Sequence, residues 1–348
     1  MVKVWVPYHS NQQACGCNNR SHHRHCAELP RLSRQVSPCS TPDNIPLAVK
    51  YRHQHIAEYA LLRAFAGAIS ALPYRTALAL GCFVAAIAHF VFRYRVTAAR
   101  ARLRAVFGER YSQAEIRGIA WRAWRNFIFS SVEMLKRRRM TLEWIQSIAD
   151  GDTAWGRLEG HLRSGEGSIL ATAHMGSWEM AAVSCEELGM RMVYLAARQK
   201  NRLVDNFWHS LRRSEGRNET VLRTTSGMRK VTGLMQQGFN LAILPDLRSK
   251  HTGISVPFLG GVANIGSGMA RFARNANVPI YPCICVRMGW TRHAFTVHDA
   301  VRPDPSVDKD RDIERMTIEV LSIMDAAIQQ HPDQWFWFNK RWILDPVD

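Results

Sequence analysis

Residues 174–179, His-Met-Gly-Ser-Trp-Glu, hold an imidazole and a carboxylate five positions apart, with a glycine between them and an apolar run, GSILATA, just before. If the run is a strand and the glycine turns the chain tightly, Ser177 is set to cap the next helix and Glu179 falls in its first turn. One continuous helix would not put the two side chains on a shared face. An intervening turn brings the carboxylate back toward the ring. An imidazole hydrogen-bonded at one nitrogen is fixed in one tautomer and free at the other to take a proton from a hydroxyl, an effect typically worth ~10²–10⁴-fold in rate. The same spacing equally suits a core histidine followed by a glutamate that offsets a helix dipole.

The elements around this segment alternate. Apolar runs at 167–173, 190–196, 239–245 and 278–286 are candidate strands, separated by helical stretches near 178–189, 203–216, 226–237 and 266–276. Such alternation implies an α/β fold with a mixed, mostly parallel sheet covered by helices. Ligands of these sheets collect at the carboxyl ends of strands, and His174 sits at one such end.

Upstream the chain changes character. Residues 1–50 are polar and rich in Ser, Pro, His and Cys without apolar period, and read as a disordered extension. Cys15, Cys17, His22, His23, His25, Cys26 and Cys39 fit no zinc-finger spacing, so no metal site is expected. MVKVWVPYHSNQQAC lacks the apolar centre of a secretory signal. Residues 51–150 read as a helical membrane-attachment and basic amphipathic region, and 151–348 as the α/β domain. Two apolar helical segments, 56–72 and 76–92, are broken at Pro73. The second is marginal for a bilayer core that needs ~20 residues, so it spans with strain, re-enters or lies in the interface. Arg93, Arg95, Arg100, Arg102 and Arg104 follow at once, as a flank facing anionic head groups should. A helix from 112 onward sets Ile116, Ile119, Ala120, Ala123, Trp124, Phe127 and Ile128 on one side, and Lys136-Arg137-Arg138-Arg139 after it reads as an exposed basic run.

The formal net charge of +17, from 46 Lys and Arg against 29 Asp and Glu, calls for an anionic partner. With no nucleic-acid module legible, a lipid surface or an acidic protein is favoured over nucleic acid. The eight cysteines lack a framework spacing, and Cys82, Cys185, Cys283 and Cys285 read as reduced core thiols.

Four segments in order carry a family resemblance: LATAHMGSWEMAA, LVDNFWHSLRRSEG, GFNLAILPDLRSKHTGISVPFLGG and HPDQWFWFNKRW. From about residue 57 to 343 the chain resembles the bacterial late acyltransferases of lipid A biosynthesis, within the lysophospholipid acyltransferase superfamily. The resemblance implies His174 as general base with Glu179 as its partner, Arg212 as the essential arginine with Arg213 one register away, and Asp246 as the essential aspartate. Arg198, Arg213, Arg248 and Gly176 complete the expected substrate-binding set. It further implies transfer of an acyl chain from acyl carrier protein to a hydroxyl of a lipid A precursor at the cytoplasmic face of the inner membrane, without cofactor or covalent acyl-enzyme. Relatives acylate other glycolipids, including phosphatidylinositol mannosides. Two departures bear on the acceptor: Leu247 stands where a glutamine commonly follows the aspartate, and Asn339 where histidine is usual. Asp246 is equally open to pairing with Arg248, and Trp335, Trp337 and Trp342 to the membrane interface or the core.

Overall fold

A computed structural model describes residues 52–196, 199–212, 218–251 and 253–344. The extension at 1–50, with its Cys and His residues, lies outside them. Helix α1 (His53–Ala71) ends at the break made by Pro73, which opens α2 (Tyr74–Ala86). The α2 rod continues as a π-helical turn through Val91, giving an apolar helix over Tyr74–Val91 of 18 residues, with mean hydropathy 1.5 and only 28 % of it buried. Helix α3 (Val96–Phe107) precedes α4 (Gln113–Lys136), whose start is fixed by reciprocal hydrogen bonds between Ser112 and Glu115. Gly81 lets α2 lie close on α4 at Val132 and Ile128, where a Cβ would crowd in.

Then follow α5 (Leu142–Ile148), β1 (Ala149–Asp150), α6 (Asp152–Ser164), β2 (Ser168–Thr172), α7 (Trp178–Glu187), β3 (Met192–Ala196), α8 (Arg202–Arg212), β4 (Asn218–Leu222), α9 (Thr225–Gln236) and β5 (Asn240–Ile243). A hairpin of β6 (Ile254–Phe258) and β7 (Gly261–Ile265) leads to α10 (Gly268–Ala276), β8 (Ile280–Arg287), β9 (His293–Val297) and α11 (Lys309–Gln330). Among the described residues the main sheet has seven strands in the order β1-β9-β8-β2-β5-β3-β4, with β8, β2, β5, β3 and β4 mutually parallel and β9 antiparallel to β8. This is the α/β sheet expected from the alternation. Its centre is apolar on both faces because helices cover both.

Gln54–Asp348 forms one unit, and the helices of the 51–150 region share its core. Ala99 and Leu103 of α3 and Ile116, Ile119, Ala120 and Ala123 of α4 pack in the same cluster as Ile169, Val193, Leu241 and Ile280 of the sheet. Several basic residues expected at a surface are spent inside. Arg95 donates to the Phe338 carbonyl (2.8 Å), and Arg102 to the carbonyls of Trp337 and Asn339 (2.6 Å each). Lys136 Nζ closes the end of α1 through the carbonyls of Ile69 (3.1 Å) and Leu72 (2.6 Å), and Arg137 is buried. Only Arg138 and Arg139 of that run are exposed. Trp335, Trp337 and Trp342 are buried too, so the interfacial alternative for them gives way to core packing. Cys82, Cys185, Cys283 and Cys285 are free thiols, as expected.

His293, at the start of β9, makes stability depend on pH. Its ring is fully buried beside Glu133 of α4 (3.6 Å), the Tyr74 hydroxyl of α2 (3.4 Å), Arg287 of β8 and Phe295 of its own strand. Burial, with a further contribution from Arg287 and against the pull of Glu133, lowers its pKa to about 4. The ring is therefore neutral at pH 7 and its contact with Glu133 is not an ion pair. Unfolded, it titrates near ~6.5, so its stabilising contribution is complete above that pH and is lost as pH falls toward 4. The loss amounts to about 3 kcal/mol. Urea unfolding at intervals from pH 7.5 to 4 should show this slope, and His293→Gln should flatten it. Parallel slopes in the two proteins are the contrary result.

Candidate active site

Strands β2 and β5 are adjacent and parallel, paired from Ser168–Asn240 to Ala171–Ile243. Three residues beyond the last of these pairs stand His174 on one strand and Asp246 on the other. The register therefore sets them level at the carboxyl edge of the sheet, across a spacing of ~4.8 Å between strands. His174 Nδ1 lies 2.6 Å from Asp246 Oδ1, and the His174 backbone N–H donates to Asp246 Oδ2 (2.7 Å). The indole N–H of Trp335 donates to the same Oδ2 (2.8 Å). Burial alone would raise the Asp246 carboxyl. The His174 ring and the three hydrogen bonds overcome it, and hold the group below the usual aspartate range.

Asp246, fully buried, is thus the carboxylate that orients the imidazole, and this corrects the expectation that Glu179 does so. The reason is direction. Glu179 enters the first turn of α7 pointing toward α8, where Arg212 Nη2 meets its Oε1 at 2.9 Å, and Arg137 Nη1 approaches its Oε2 at 3.8 Å. Arg137 is anchored in turn by Glu186 and the Tyr194 hydroxyl, and Arg212 lies over the Tyr194 ring. Arg212 Nε is buried without a hydrogen-bond partner among the described residues. The site therefore holds two linked groups: an imidazole and aspartate at the strand ends, and a glutamate between two arginines beside them.

With Nδ1 taken by Asp246, the His174 tautomer is fixed with Nε2 open. The ring is 21 % exposed, packed against Phe336 (centroids 4.7 Å) and Trp178 (5.7 Å), so one edge reaches solvent. A histidine with one nitrogen fixed by a buried carboxylate and the other exposed is suited to accept a proton.

Gly176 has φ +57°, and a Cβ there would collide with the Cys285 carbonyl oxygen. Its N–H donates to the Gln334 carbonyl (3.2 Å) and its own carbonyl accepts from the Ser130 hydroxyl. Both polar groups are taken by protein, so the substrate contact expected of Gly176 gives way to shaping the turn. Ser177 occupies the N-cap position of α7, but its hydroxyl donates to Glu133 and accepts no hydrogen bond from the helix's first N–H groups. Arg248 donates to the Leu344 carbonyl (2.6 Å), and Asp246 is turned to His174 instead of to it. Arg198 and Arg213 lie outside the described residues.

Beside the dyad is a cavity of about 110 Å³ between α7 and the sheet. Glu179, Arg212 and Trp178 line it with apolar residues such as Leu170, Met192 and Ala242. It is smaller than the ~300–1,000 Å³ that encloses a whole small-molecule ligand, so it suits part of a chain. Cys185 lines it as well, and burial raises its thiol far above the range of a nucleophile.

The residues missed by sequence reasoning are Trp335, Arg137, Glu133 and Ser130. Trp335 lies in a segment singled out by resemblance but reads as a membrane-interface or core residue and not as part of the site, and Arg137 is hidden in a run of four basic residues. Glu133 and Ser130 carried no local signal.

Two curated relatives are phosphatidylinositol mannoside acyltransferases. That of Mycolicibacterium smegmatis is 24 % identical over 208 residues, which are 58 % of this chain and 64 % of that protein. That of Mycobacterium tuberculosis is 23 % identical over 194 residues, 54 % of this chain and 58 % of that protein. The chain spans less than two thirds of the length of these relatives. The family described as bacterial lipid A biosynthesis acyltransferase matches residues 47–343, from before α1 to beyond the Trp335 segment, and the chain belongs to that family.

Proposed function

We propose that this protein is a membrane-associated O-acyltransferase that moves a fatty acyl group from a thioester donor to a hydroxyl of a glycolipid. The observation that carries the reading is His174 held through Nδ1 by buried Asp246, with its other edge exposed. His174 Nε2 takes the acceptor hydroxyl's proton as the oxygen attacks the thioester carbonyl carbon. The C–S bond then breaks, and the departing thiolate receives the proton from the imidazolium. No covalent acyl-enzyme is required. Arg212, whose Nε has no partner among the described residues, binds a phosphate or carbonyl of one substrate, where a planar fork outperforms a point charge.

The donor is an acyl carrier protein, a partner whose acidity suits a chain of net charge +17. The acceptor is a lipid A precursor, in keeping with the family. A phosphatidylinositol mannoside is the second reading, favoured by the names of the relatives. Attachment is through the apolar helix Tyr74–Val91 at the cytoplasmic face of the bacterial inner membrane. Its support is the exposure of Phe83 (63 %), Phe90 (59 %) and Phe92 (75 %), continued by Met288 and Trp290 at the β8–β9 turn, with Trp290 beside Phe129 of α4.

Mass spectrometry of lipids from cells with and without the protein tests the acceptor. Loss of one fatty acyl mass from lipid A supports the first reading, and loss from a mannoside the second. Unchanged glycolipids in both fractions sink the proposal. Purified protein offered acyl carrier protein or coenzyme A thioesters separates the donors.

A further inference from the structure

Helix α4 carries a buried charged constellation that the chemistry above leaves unused. Glu133 has no exposed surface, and both its oxygens accept from Arg287 Nη2 (2.7 and 2.8 Å) at the end of β8. Oε1 also accepts from the Tyr74 hydroxyl (2.6 Å), and Oε2 from the Ser177 hydroxyl. Burial alone would raise the Glu133 carboxyl. Arg287 chiefly, with the two hydroxyls, holds it below the ordinary range, so it is ionised at neutral pH.

A buried ion pair is weak evidence of stabilisation, because its desolvation cost often cancels its attraction and apolar side chains of similar volume serve as well. What apolar side chains cannot do is hold a hydroxyl. Ser177 stands at the head of α7, three residues after His174 and two before Glu179, and its oxygen is free of the helix it begins. The Ser177 backbone N–H is directed to Cys285 Sγ (3.3 Å). Ser130, one helical turn before Glu133, donates to the carbonyl of Gly176. Helix α4 therefore grips two successive residues of the turn that joins the imidazole to the Glu179–Arg212 pair.

We infer that Glu133, held by Arg287, is a positioning residue that acts through Ser177 to fix the turn carrying His174 and Glu179. Resting on the reading of His174 as base, the assignment makes turnover depend on a hydroxyl that touches no substrate. Displacing a reacting group by ~1 Å can cost about 10²-fold in rate. Ser177→Ala removes that hydroxyl and keeps the Glu133–Arg287 pair, so the protein should remain folded by circular dichroism. Its kcat should fall about 10- to 100-fold with KM for the thioester donor nearly unchanged.

Glu133→Gln keeps an acceptor but leaves Arg287 unpaired in the interior, so it is used only if soluble and folded. It should lower kcat in the wild-type background and add little in Ser177→Ala, since both changes cut one link. The positioning role is overturned by a folded Ser177→Ala protein with full kcat, or by equal effects of Glu133→Gln in both backgrounds. His174→Ala, assayed alongside, keeps the two ideas apart. If it retains transfer, the reading of the base fails. If it is inactive while Ser177→Ala is fully active, only the positioning role fails.

Discussion

Alanine at His174 should lower acyl transfer by about 10²–10⁴-fold, the range attributable to a general base. The protein should stay folded and sediment with vesicles as before. His174 is partly exposed, and Asp246 keeps two donors when the ring is gone, the backbone N–H of residue 174 and the Trp335 indole. The apolar helix Tyr74–Val91 is untouched by the change. Transfer by purified, folded His174→Ala protein at the wild-type rate would remove the base from the scheme, and with it the mechanism. Measuring both kcat and kcat/KM with saturating donor separates a lost proton acceptor from weaker binding, because a group acting only in the transition state lowers the two equally.

Asp246→Asn is the second large effect, and it decides which carboxylate serves the imidazole. Three donors converge on Asp246: His174 Nδ1–H, the His174 backbone N–H and the Trp335 indole. With the amide oxygen on the two N–H donors that share Oδ2, the NH₂ faces His174 Nδ1. The ring must then take the Nε2–H tautomer, which leaves no acceptor for the hydroxyl's proton. Loss of rate should approach the ~10²–10⁴-fold of the base itself. Exchanging hydrogen bonds to a charged acceptor for neutral ones should also cost about 1 kcal/mol of stability, read as a lower urea midpoint. Glu179→Gln is the contrast. Its carboxylate is joined to Arg212 and Arg137, so its loss should appear mainly as a higher KM through a loosened Arg212. If Glu179→Gln lowers kcat as far as Asp246→Asn does, the division of roles between the two carboxylates is wrong.

Much of the architecture was legible because it depends on period and punctuation. The four apolar runs became β2, β3, β5 and β8, and the stretches between them became α7, α8, α9 and α10 with shifts of a few residues at their ends. Pro73 did break the two apolar helices. Among the described residues the strands left unread are β1, β4, β6, β7 and β9, none longer than five residues; β4 and β9 carry polar side chains and lie toward the sheet's edges, where apolar pattern is weakest. Helix α11 was readable from Ile313, Met316, Val320, Leu321, Met324 and Ile328, all buried at helical spacing, though the expectation stopped at residue 286.

Other misreadings came from judging charge and aromatic character locally. Arg95, Arg102, Lys136 and Arg137 resemble solvated basic runs until the chain folds, when each meets a carbonyl or carboxylate from a distant segment. The terminal tryptophans look interfacial for the same reason. Nothing in a run of residues says which of them will face a buried acceptor.

By itself, the sequence determined that an imidazole stands after a strand of an α/β sheet, that a glycine turns the chain there, and that an arginine and an aspartate belong to the same constellation. These are consequences of local pattern and of four ordered segments that resemble one family. Only the tertiary structure decided which acid meets the ring. The glutamate five residues away is the nearer in sequence, but α7 carries it off toward Arg212. The aspartate is brought level with His174 by the pairing of β2 with β5, a register set by two strands burying their apolar faces together. Sequence proximity lost to strand register because a helix start fixes direction over one turn, whereas a parallel pair aligns distant residues at a fixed, short spacing.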